Sequence, residues 1–267
     1  MRIRLMTFNI AHGRGLGLYQ GFTSGRMLRR NISAIAELMR DLHVDLAAFQ
    51  EIDESSHWHH GLRMMDELKI ESGFANAMMG VNNQRGGKKP LAYGNALFSA
   101  LPVELWDNQP FGDATLGEKG FMYAEIAVGG RYLLPIVNLH LDYRSRARRL
   151  AQIEKLVDYM RARPMRPDRA HLPPIVCGDF NSRAATDGDA VQHLFNHMLE
   201  EGRYRLYPEN ARTFPSFWPS RCLDFIFVPG EFSVIDCRVI PALLSDHMPV
   251  FLEMEIALNN VLQKAVD

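Results

Sequence analysis

The chain has 267 residues, of which 47% are hydrophobic and 23% charged, a composition typical of a globular protein that can bury a sizeable core. This composition excludes collagen-like and intrinsically disordered proteins. Thirty basic residues against 31 acidic ones give a net charge of -1, whereas a protein that coats nucleic acid is usually strongly basic. This charge still allows an enzyme that contacts nucleic acid briefly.

The cysteines and the N-terminal segment indicate a cellular compartment. Cys177, Cys222 and Cys237 are odd in number and widely spaced, which fits neither a disulfide framework nor a zinc finger. We therefore expect reduced thiols and a cytoplasmic location. No apolar run approaches the roughly 18 residues of a membrane span. The polar–apolar alternation of residues 1–5 predicts a strand in place of a secretory signal.

Apolar periodicity predicts the secondary structure in chain order. The expected elements are strand 3–8, a glycine-rich loop over 12–25, helix 32–42, strand 44–50, helix 59–68, strands 74–79, 92–99, 122–128 and 132–139, helix 145–160, strand 173–177, helix 190–199, and strands 223–228, 233–239 and 250–256. Gly129-Gly130 predicts a hairpin turn. Strands dominate and helices occur singly, which predicts one α/β domain over residues 1–267, with mixed sheets and helices packed outside.

Acidic, amide and imidazole side chains stand repeatedly where an apolar run begins or ends. The positions are Asn9, Glu51, His140, Asp179 with Asn181, Asp224, and Asp246 with His247. A single residue of this kind is usually a turn or cap residue, but the coincidence of six such positions predicts that strand ends gather at one rim. Carboxylate and amide oxygens there would suit a hard cation such as Mg²⁺, and the histidines would suit proton transfer or charge stabilisation.

Six sequence blocks resemble the successive motifs of the endonuclease/exonuclease/phosphatase superfamily, which includes DNase I, apurinic endonucleases, neutral sphingomyelinases and inositol polyphosphate 5-phosphatases. The blocks are Thr-Phe-Asn-Ile from Thr7, Phe-Gln-Glu-Ile from Phe49, Asn-Leu-His-Leu-Asp from Asn138, Gly-Asp-Phe-Asn-Ser from Gly178, Leu-Asp-Phe-Ile-Phe from Leu223, and Ser-Asp-His-Met-Pro-Val from Ser245. Their order and spacing match over residues 7–250. The resemblance implies a DNase I-like, four-layered α/β sandwich of two packed, mixed and mostly antiparallel sheets with helices outside. It also implies Mg²⁺- or Mn²⁺-dependent hydrolysis of phosphoesters.

The resemblance implies a metal site and a water-activating pair. Glu51 is the expected principal metal ligand, with Asn9 beside it and Asp246 completing the site. Asp179 would orient or deprotonate the attacking water. Asn181 would contact the phosphate and help to hold that water.

It also implies roles for two histidines. His247 would lie over the scissile phosphate, as a base or as an electrostatic clamp. Asp224 would bond to His247 and favour its protonated form, and its carboxylate can reach the ring if the strands near these residues are neighbours. His140 would donate to a phosphate oxygen or assist the leaving group.

Two departures from the family pattern narrow the expected activity. Apurinic endonucleases carry an acidic residue where this chain has Ala11, and a catalytic tyrosine where it has His140, so abasic-site repair is disfavoured. The segments Tyr93–Ser99 and Thr213–Ser216 look like the small bacterial members of uncertain substrate.

Weaker signals have competing interpretations. Asn95 and Arg221 are candidate substrate-binding residues; the alternative for Asn95 is a strand amide bonded to backbone. His193 and His197 lie one helical turn apart, but the sequence identifies no third metal ligand for them. Nine basic residues against three acids over 144–169 suit either a solvated helix face or contact with a polyanion.

We therefore expect a metal-dependent phosphoesterase that hydrolyses a phosphodiester, of nucleic acid or another kind, with no protein partner indicated. A phosphomonoesterase of phosphorylated lipids or inositols would use the same site. The complete acid–amide–histidine set disfavours a catalytically silent interaction module. The near-neutral charge disfavours a non-catalytic nucleic-acid-binding protein.

Reduced cysteines provide a first test. Cys177, Cys222 and Cys237 should all react with a thiol reagent after denaturation without reductant, because no disulfide is expected. Mass spectrometry counts the labels. Recovery of a single free thiol would reveal a disulfide and argue for an exported protein.

Overall fold

The structure, a computed structural model, describes residues 1–112, 117–164, 166–184 and 186–258. Within these ranges the chain forms thirteen β-strands and four α-helices. In chain order they are β1 (Arg2–Asn9), α1 (Gly25–Asp41), β2 (Leu46–Ser56), α2 (Met64–Ser72), β3 (Asn76–Arg85), β4 (Leu91–Ser99), β5 (Val103–Pro110), β6 (Gly120–Val128), β7 (Tyr132–His140), α3 (Arg146–Ala162), β8 (Ala170–His171), β9 (Ile175–Asp179), α4 (Ala190–Glu201), β10 (Tyr204–Tyr207), β11 (Asp224–Pro229), β12 (Ser233–Val239) and β13 (Val250–Glu255).

The strands form two sheets. The first has the spatial order β12-β13-β1-β2-β4-β3, and the second has the order β10-β11-β9-β7-β6-β5, with β8 beside β7. Pairing is parallel between β1 and β2, β7 and β9, and β7 and β8, and antiparallel at the other interfaces between named strands. The expected pair of mixed, mostly antiparallel sheets is therefore confirmed.

Three apolar clusters make this a four-layered α/β sandwich, as expected. Leu5 of β1 and Ile136 of β7 belong to the cluster between the sheets. Ile32 of α1 belongs to the cluster that joins α1 and α2 to the first sheet. Leu156 of α3 and Leu194 of α4 belong to the cluster on the outer face of the second sheet. Among the residues described, no helix combines the length and the apolarity needed to cross a bilayer.

The sequence interpretation omitted three strands and misplaced two helix starts. The first helix, α1, begins at Gly25, seven residues before the expected start. β5 alternates exposed and half-buried residues at the edge of the second sheet, so it has no strong apolar face. β8 has two residues and β10 has four, which is too short for periodicity to emerge. Residues His57–His59 form a 3-10 turn, and α2 begins at Met64. The predicted hairpin turn is confirmed, since Gly129 and Gly130 have φ of 54° and 86° between β6 and β7.

Gly178 allows β9 to lie against β7 immediately before Asp179. Its φ is +140°, and a Cβ built there would lie 1.9 Å from the carbonyl oxygen of Leu139. A side chain at this position would collide with backbone in the neighbouring strand. The glycine of the Gly-Asp-Phe-Asn block is therefore required by the pairing that positions the aspartate.

Buried amides connect the two sheets beneath the ends of these strands. Asn138 of β7 donates through Nδ2 to the carbonyl oxygens of Phe49 and Ala96 in the first sheet, at 2.9 and 2.8 Å. Gln50 of β2 donates in return to Asn138 Oδ1 at 2.7 Å and to Thr7 Oγ1 at 3.0 Å. The otherwise apolar interface thus contains a directional contact that sets the relative position of the sheets.

Replacing Asn138 tests this contact. Asn138→Ala should lower the free energy of unfolding by about 1–3 kcal/mol, because it leaves buried donors and acceptors without partners. Urea denaturation should show a lower midpoint with an unchanged slope. Asn210→Ala, at an exposed position, is the control. Equal stability of the two variants would contradict a role for the amide.

Candidate active site

Strand pairing brings the predicted polar residues to one rim of the sandwich. In the second sheet, His140 and Asp224 both pair in register with Asp179, from the two strands beside it. In the first sheet, Asn9 ends β1, and Glu51 lies in the adjacent strand β2. A hydrogen bond between Asn9 and Asp179 joins the two sheets at this rim.

Asp179 is the buried centre of this rim. Asn9 Nδ2 donates to its Oδ2 at 2.9 Å, and the backbone N–H of Asn181 donates to its Oδ1 at 2.9 Å. The Nε2 atoms of His140 and His247 lie 3.4 and 3.7 Å from the same Oδ2. Burial raises the pKa of Asp179 despite the attraction of His247. Such a carboxylate suits the transfer of a proton near neutral pH.

His247 and Asp224 form a buried dyad. Nδ1 of His247 lies 3.1 and 2.9 Å from the two carboxylate oxygens of Asp224. Although burial opposes the charge, the carboxylates of Asp224 and Asp179 raise the pKa of His247 well above its usual value. The ring is therefore a cation at neutral pH.

The two residues of this dyad meet although the strands beside them are not neighbours. β11 carries Asp224 in the second sheet, whereas β13, which follows His247, lies in the first. The ring reaches Asp224 across the rim because hydrogen bonds hold the loop before β13. The backbone N–H of Met248 donates to the backbone carbonyl of Thr213 at 2.8 Å. The backbone N–H of Ser216 donates to the backbone carbonyl of Asp246 at 2.7 Å.

Glu51 projects into a small cleft from an irregular point in β2. The register with β4 shifts between Gln50 and Ile52, and Glu51 has a φ of 52°. Its carboxylate lies 3.1 Å from Lys119 Nζ and 3.8 Å from His12 Nε2. Burial alone would raise the pKa of Glu51, but these cationic neighbours hold it far below its usual range. With its side chain 24% exposed, Glu51 offers an ionised carboxylate to the cleft.

His140 and Asn181 lie between Glu51 and Asp179. His140 Nε2 lies 3.9 Å from Glu51 Oε1 and 3.1 Å from Asn181 Nδ2, and its Nδ1 lies 3.4 Å from Lys119 Nζ. Burial and the positive charge of Lys119 keep the pKa of His140 well below its usual value. This imidazole is therefore neutral and can donate from one ring nitrogen only.

The three remaining predicted residues lie around this centre. Asp246 Oδ2 forms a 2.6 Å ion pair with Arg14. Asn95 donates to two backbone carbonyls, as its alternative interpretation expected, but it lines the cleft of Glu51 and its buried Oδ1 has no hydrogen-bond partner. The Arg221 guanidinium lies 4.9 Å from the ring centroid of Phe214, which contacts the His247 ring at 4.7 Å. The ligand and substrate roles of these residues stay predictions.

Sequence reasoning missed two features of the site. Lys119 precedes β6, and a single lysine in a loop carries no distinguishing signal. His12 Nδ1 lies 2.6 Å from Asp53 Oδ2, and His59 Nε2 lies 3.5 Å from the same atom. Although burial opposes it, Asp53 raises the pKa of His12, which faces Glu51. The sequence offered one signal for the buried group of His12, Asp53 and His59: a second acidic residue, Asp53, lies two positions after Glu51.

The basic run over 144–169 is largely engaged in ion pairs within the chain. Six of its arginines lie within 4.0 Å of carboxylates: Arg148 with Asp142, Arg149 with Asp189, Arg161 with Glu200, Arg163 with Asp107, Arg166 with Asp168 and Glu104, and Arg169 with Glu104. These contacts favour the structural interpretation of the run.

Comparison with known proteins identifies the family. Residues 6–247 match the model of the Endonuclease/Exonuclease/phosphatase family. The chain belongs to this family. It is 24% identical over 255 residues to the uncharacterized protein YbhP of Escherichia coli (strain K12), covering 90% of this chain and 94% of YbhP.

Solved structures of the family share the fold. The mannosyl-6-phosphatase Bt3783 of Bacteroides thetaiotaomicron superposes with a TM-score of 0.69 at 16% identity, covering 95% of this chain and all of that one. ANGEL2, a 2',3'-cyclic phosphatase, superposes with a TM-score of 0.67 at 14% identity, covering 95% of each chain. Members of this family are typically phosphoester hydrolases, so the rim of strand ends is the candidate active site.

A double-mutant cycle tests the dyad. His247→Ala should lower kcat by roughly 10²–10⁴-fold, because a positioned cation is lost. Asp224→Asn should lower kcat less. It should also move the alkaline limb of the pH–rate profile to lower pH, because the ring loses the carboxylate that raises its pKa. The double variant should be little worse than His247→Ala. Strictly multiplicative losses would mean that the two residues act independently.

Proposed function

We propose that the protein is a divalent-metal-dependent phosphodiesterase that hydrolyses its substrate by attack of water. The observation that carries the proposal is the convergence, at one rim, of three features. These are an ionised carboxylate, Glu51; a buried carboxylate of raised pKa, Asp179; and an imidazolium, His247. Together they supply a place for a cation, a proton acceptor and a stabiliser of phosphoryl charge.

The residues of the cleft fit Mg²⁺ or Mn²⁺. Mg²⁺ is commonly held by one or two carboxylates, with waters and substrate phosphate as the other ligands. Glu51 would hold the ion as its principal ligand, with Asn9 and Asp246 as proposed further ligands. When bound, the ion would polarise a phosphoryl oxygen and offset developing charge.

Asp179 is the proposed acceptor of the proton from the attacking water. Its two oxygens are held by Asn9 Nδ2 and by the backbone N–H of Asn181, so the carboxylate is fixed before substrate arrives. The raised pKa makes it a better proton acceptor than an exposed aspartate. Asn181, beside it, would contact the phosphate.

His247 and His140 have different proposed roles because their charges differ. His247, cationic through Asp224, would stabilise the negative charge on the phosphoryl oxygens in the transition state. His140 is neutral and would act as a hydrogen-bond donor to a phosphate oxygen or to the leaving group. Lys119, at 3.1 Å from Glu51, adds positive charge to the same cleft.

Aromatic and basic surfaces near the cleft support a diester, in which the phosphate carries a second organic group. A cavity of about 510 Å³ is lined by Tyr19, Trp58, Arg85 and other residues, and it shares Tyr93 with the Glu51 cleft. In addition, Trp218 is 76% exposed in the loop whose Phe214 packs against the His247 ring. Aromatic and cationic side chains of this kind suit stacking and phosphate contacts with a nucleotide or another diester.

A phosphomonoesterase of a phosphorylated sugar, lipid or inositol is the alternative within the same chemistry. The structural similarity to a mannosyl-6-phosphatase supports this alternative. A substrate panel in Mg²⁺ and in Mn²⁺ decides between the two activities. It compares bis(p-nitrophenyl) phosphate with p-nitrophenyl phosphate, and then oligoribonucleotides, plasmid DNA, sphingomyelin, inositol phosphates and hexose 6-phosphates. Faster turnover of monoesters throughout would overturn the diester proposal, and no turnover of any substrate would overturn the enzymatic one.

The metal requirement is tested at Glu51. Glu51→Gln should keep the fold but lose most Mg²⁺ affinity and activity, because an amide oxygen is a weaker ligand for a hard cation. Calorimetry measures the affinity, and hydrolysis of the best panel substrate measures the activity. Glu54→Gln, three residues along and exposed, is the matched control. Unchanged Mg²⁺ affinity in Glu51→Gln would contradict the proposal.

A further inference from the structure

The helical layer outside the second sheet contains a second group of potential metal ligands. Glu154 of α3 and His193 and His197 of α4 each place one ligand atom within 4.8 Å of the other two. His193 Nε2 is hydrogen-bonded to Glu154 Oε1, and His197 Nε2 lies 3.4 Å from the same oxygen. The third ligand that the sequence did not identify is thus supplied by the neighbouring helix.

Three polar contacts, which follow the same order along both helices, hold α3 and α4 side by side. Arg149 pairs with Asp189 at 2.6 Å where α4 begins, and Arg161 lies 3.8 Å from Glu200 near its end. The Glu154–histidine group lies between them. The helices therefore run in the same direction. The Glu154–histidine group lies at their interface, between two ion pairs that fix the position of one helix relative to the other.

A neutral ring at His197 leaves one of its nitrogens without a suitable partner. If a neutral ring carries its proton on Nε2, Nδ1 is left as an acceptor facing Glu200 Oε2 at 4.0 Å, and this buried Nδ1 has no hydrogen-bond partner. If the proton is on Nδ1 instead, the Nε2 lone pair faces a carboxylate oxygen of Glu154. Either a second proton on the ring or a metal ion between Nε2 and Glu154 resolves the conflict, because Nδ1–H then faces the Glu200 carboxylate.

We propose that Glu154, His193 and His197 bind a divalent transition-metal ion of the Zn²⁺ type, at a site separate from the active site. Two imidazoles and one carboxylate form a ligand set that favours Zn²⁺ over Mg²⁺ or Ca²⁺. In a tetrahedral site with bonds near 2.1 Å, ligand atoms are about 3.4 Å apart, close to the separation of His197 Nε2 from Glu154 Oε1.

The site is open to ions from solution. The side chains of His193 and Glu154 are 33% and 49% exposed, and that of His197 is 19% exposed. Three protein ligands leave a fourth position for water. A bound ion would cross-link α3 to α4 and stabilise the folded state by an amount that grows with the logarithm of its concentration over the dissociation constant.

Zinc titration of the metal-stripped protein tests the proposal. In excess Mg²⁺, calorimetry should show that the wild type binds one more Zn²⁺ than the double variant His193→Ala/His197→Ala. At Zn²⁺ about 100-fold above the dissociation constant, the Tm of the wild type should rise by about 5 °C relative to that variant. His43→Ala, at an exposed histidine elsewhere, should behave as the wild type does.

A conservative variant separates metal binding from a simple hydrogen-bonded contact. Glu154→Gln keeps an oxygen that accepts from the histidines but weakens the ligand, so Zn²⁺ affinity at this site should fall at least about tenfold. Tm without Zn²⁺ should stay close to that of the wild type. Equal stoichiometry and equal Zn²⁺-dependent Tm in wild type and double variant would overturn the proposal, as would unchanged affinity in Glu154→Gln.

Discussion

Asn138 donates both amide hydrogens to carbonyls of the opposite sheet, and Gln50 donates back to Asn138. This exchange constrains the rest of the molecule, because the candidate active site is assembled from two sheets that otherwise meet through apolar side chains. Such side chains pack well in several relative positions, whereas a buried amide pair has few satisfied arrangements. Asn9 and Glu51 come from one sheet and Asp179 from the other, so a small slip between sheets would separate them.

The electrostatics of the rim follow from burial. A carboxylate withdrawn from water must be paired or must bind its proton more tightly, and the site uses both outcomes. Glu51 is paired with Lys119 and stays ionised, whereas Asp179 has mainly amide donors and a raised pKa. The two histidines also diverge: His247 has two carboxylate neighbours and is charged, while His140 has Lys119 nearby and is neutral. One small volume thus holds groups poised to accept a proton, to stabilise negative charge and to donate a hydrogen bond.

Backbone strain is concentrated at the same place. Glu51, Asn181, His12 and Ala11 all have positive φ, between 45° and 58°, a conformation that costs energy for residues with a Cβ. Their neighbours hold them there, since strands on either side fix β2 and β9. One fold can serve many functions, so the fold alone does not name the substrate. In this chain, the flanking surfaces are aromatic and basic.

The sequence by itself determined the element types, the layered α/β architecture and most of the residues at the rim. Periodicity and polar residues at strand ends depend on local chemistry, which a single chain displays directly. It did not reveal Lys119, the His12–Asp53 pair or the glutamate that joins His193 and His197. These partners are distant in sequence, and only packing of sheets and helices brings them together. The Asp224–His247 dyad is another example. Its two residues were identified from their motifs, but the sequence did not show how they come into contact. They meet because two different sheets end at one rim, and that geometry belongs to the tertiary structure.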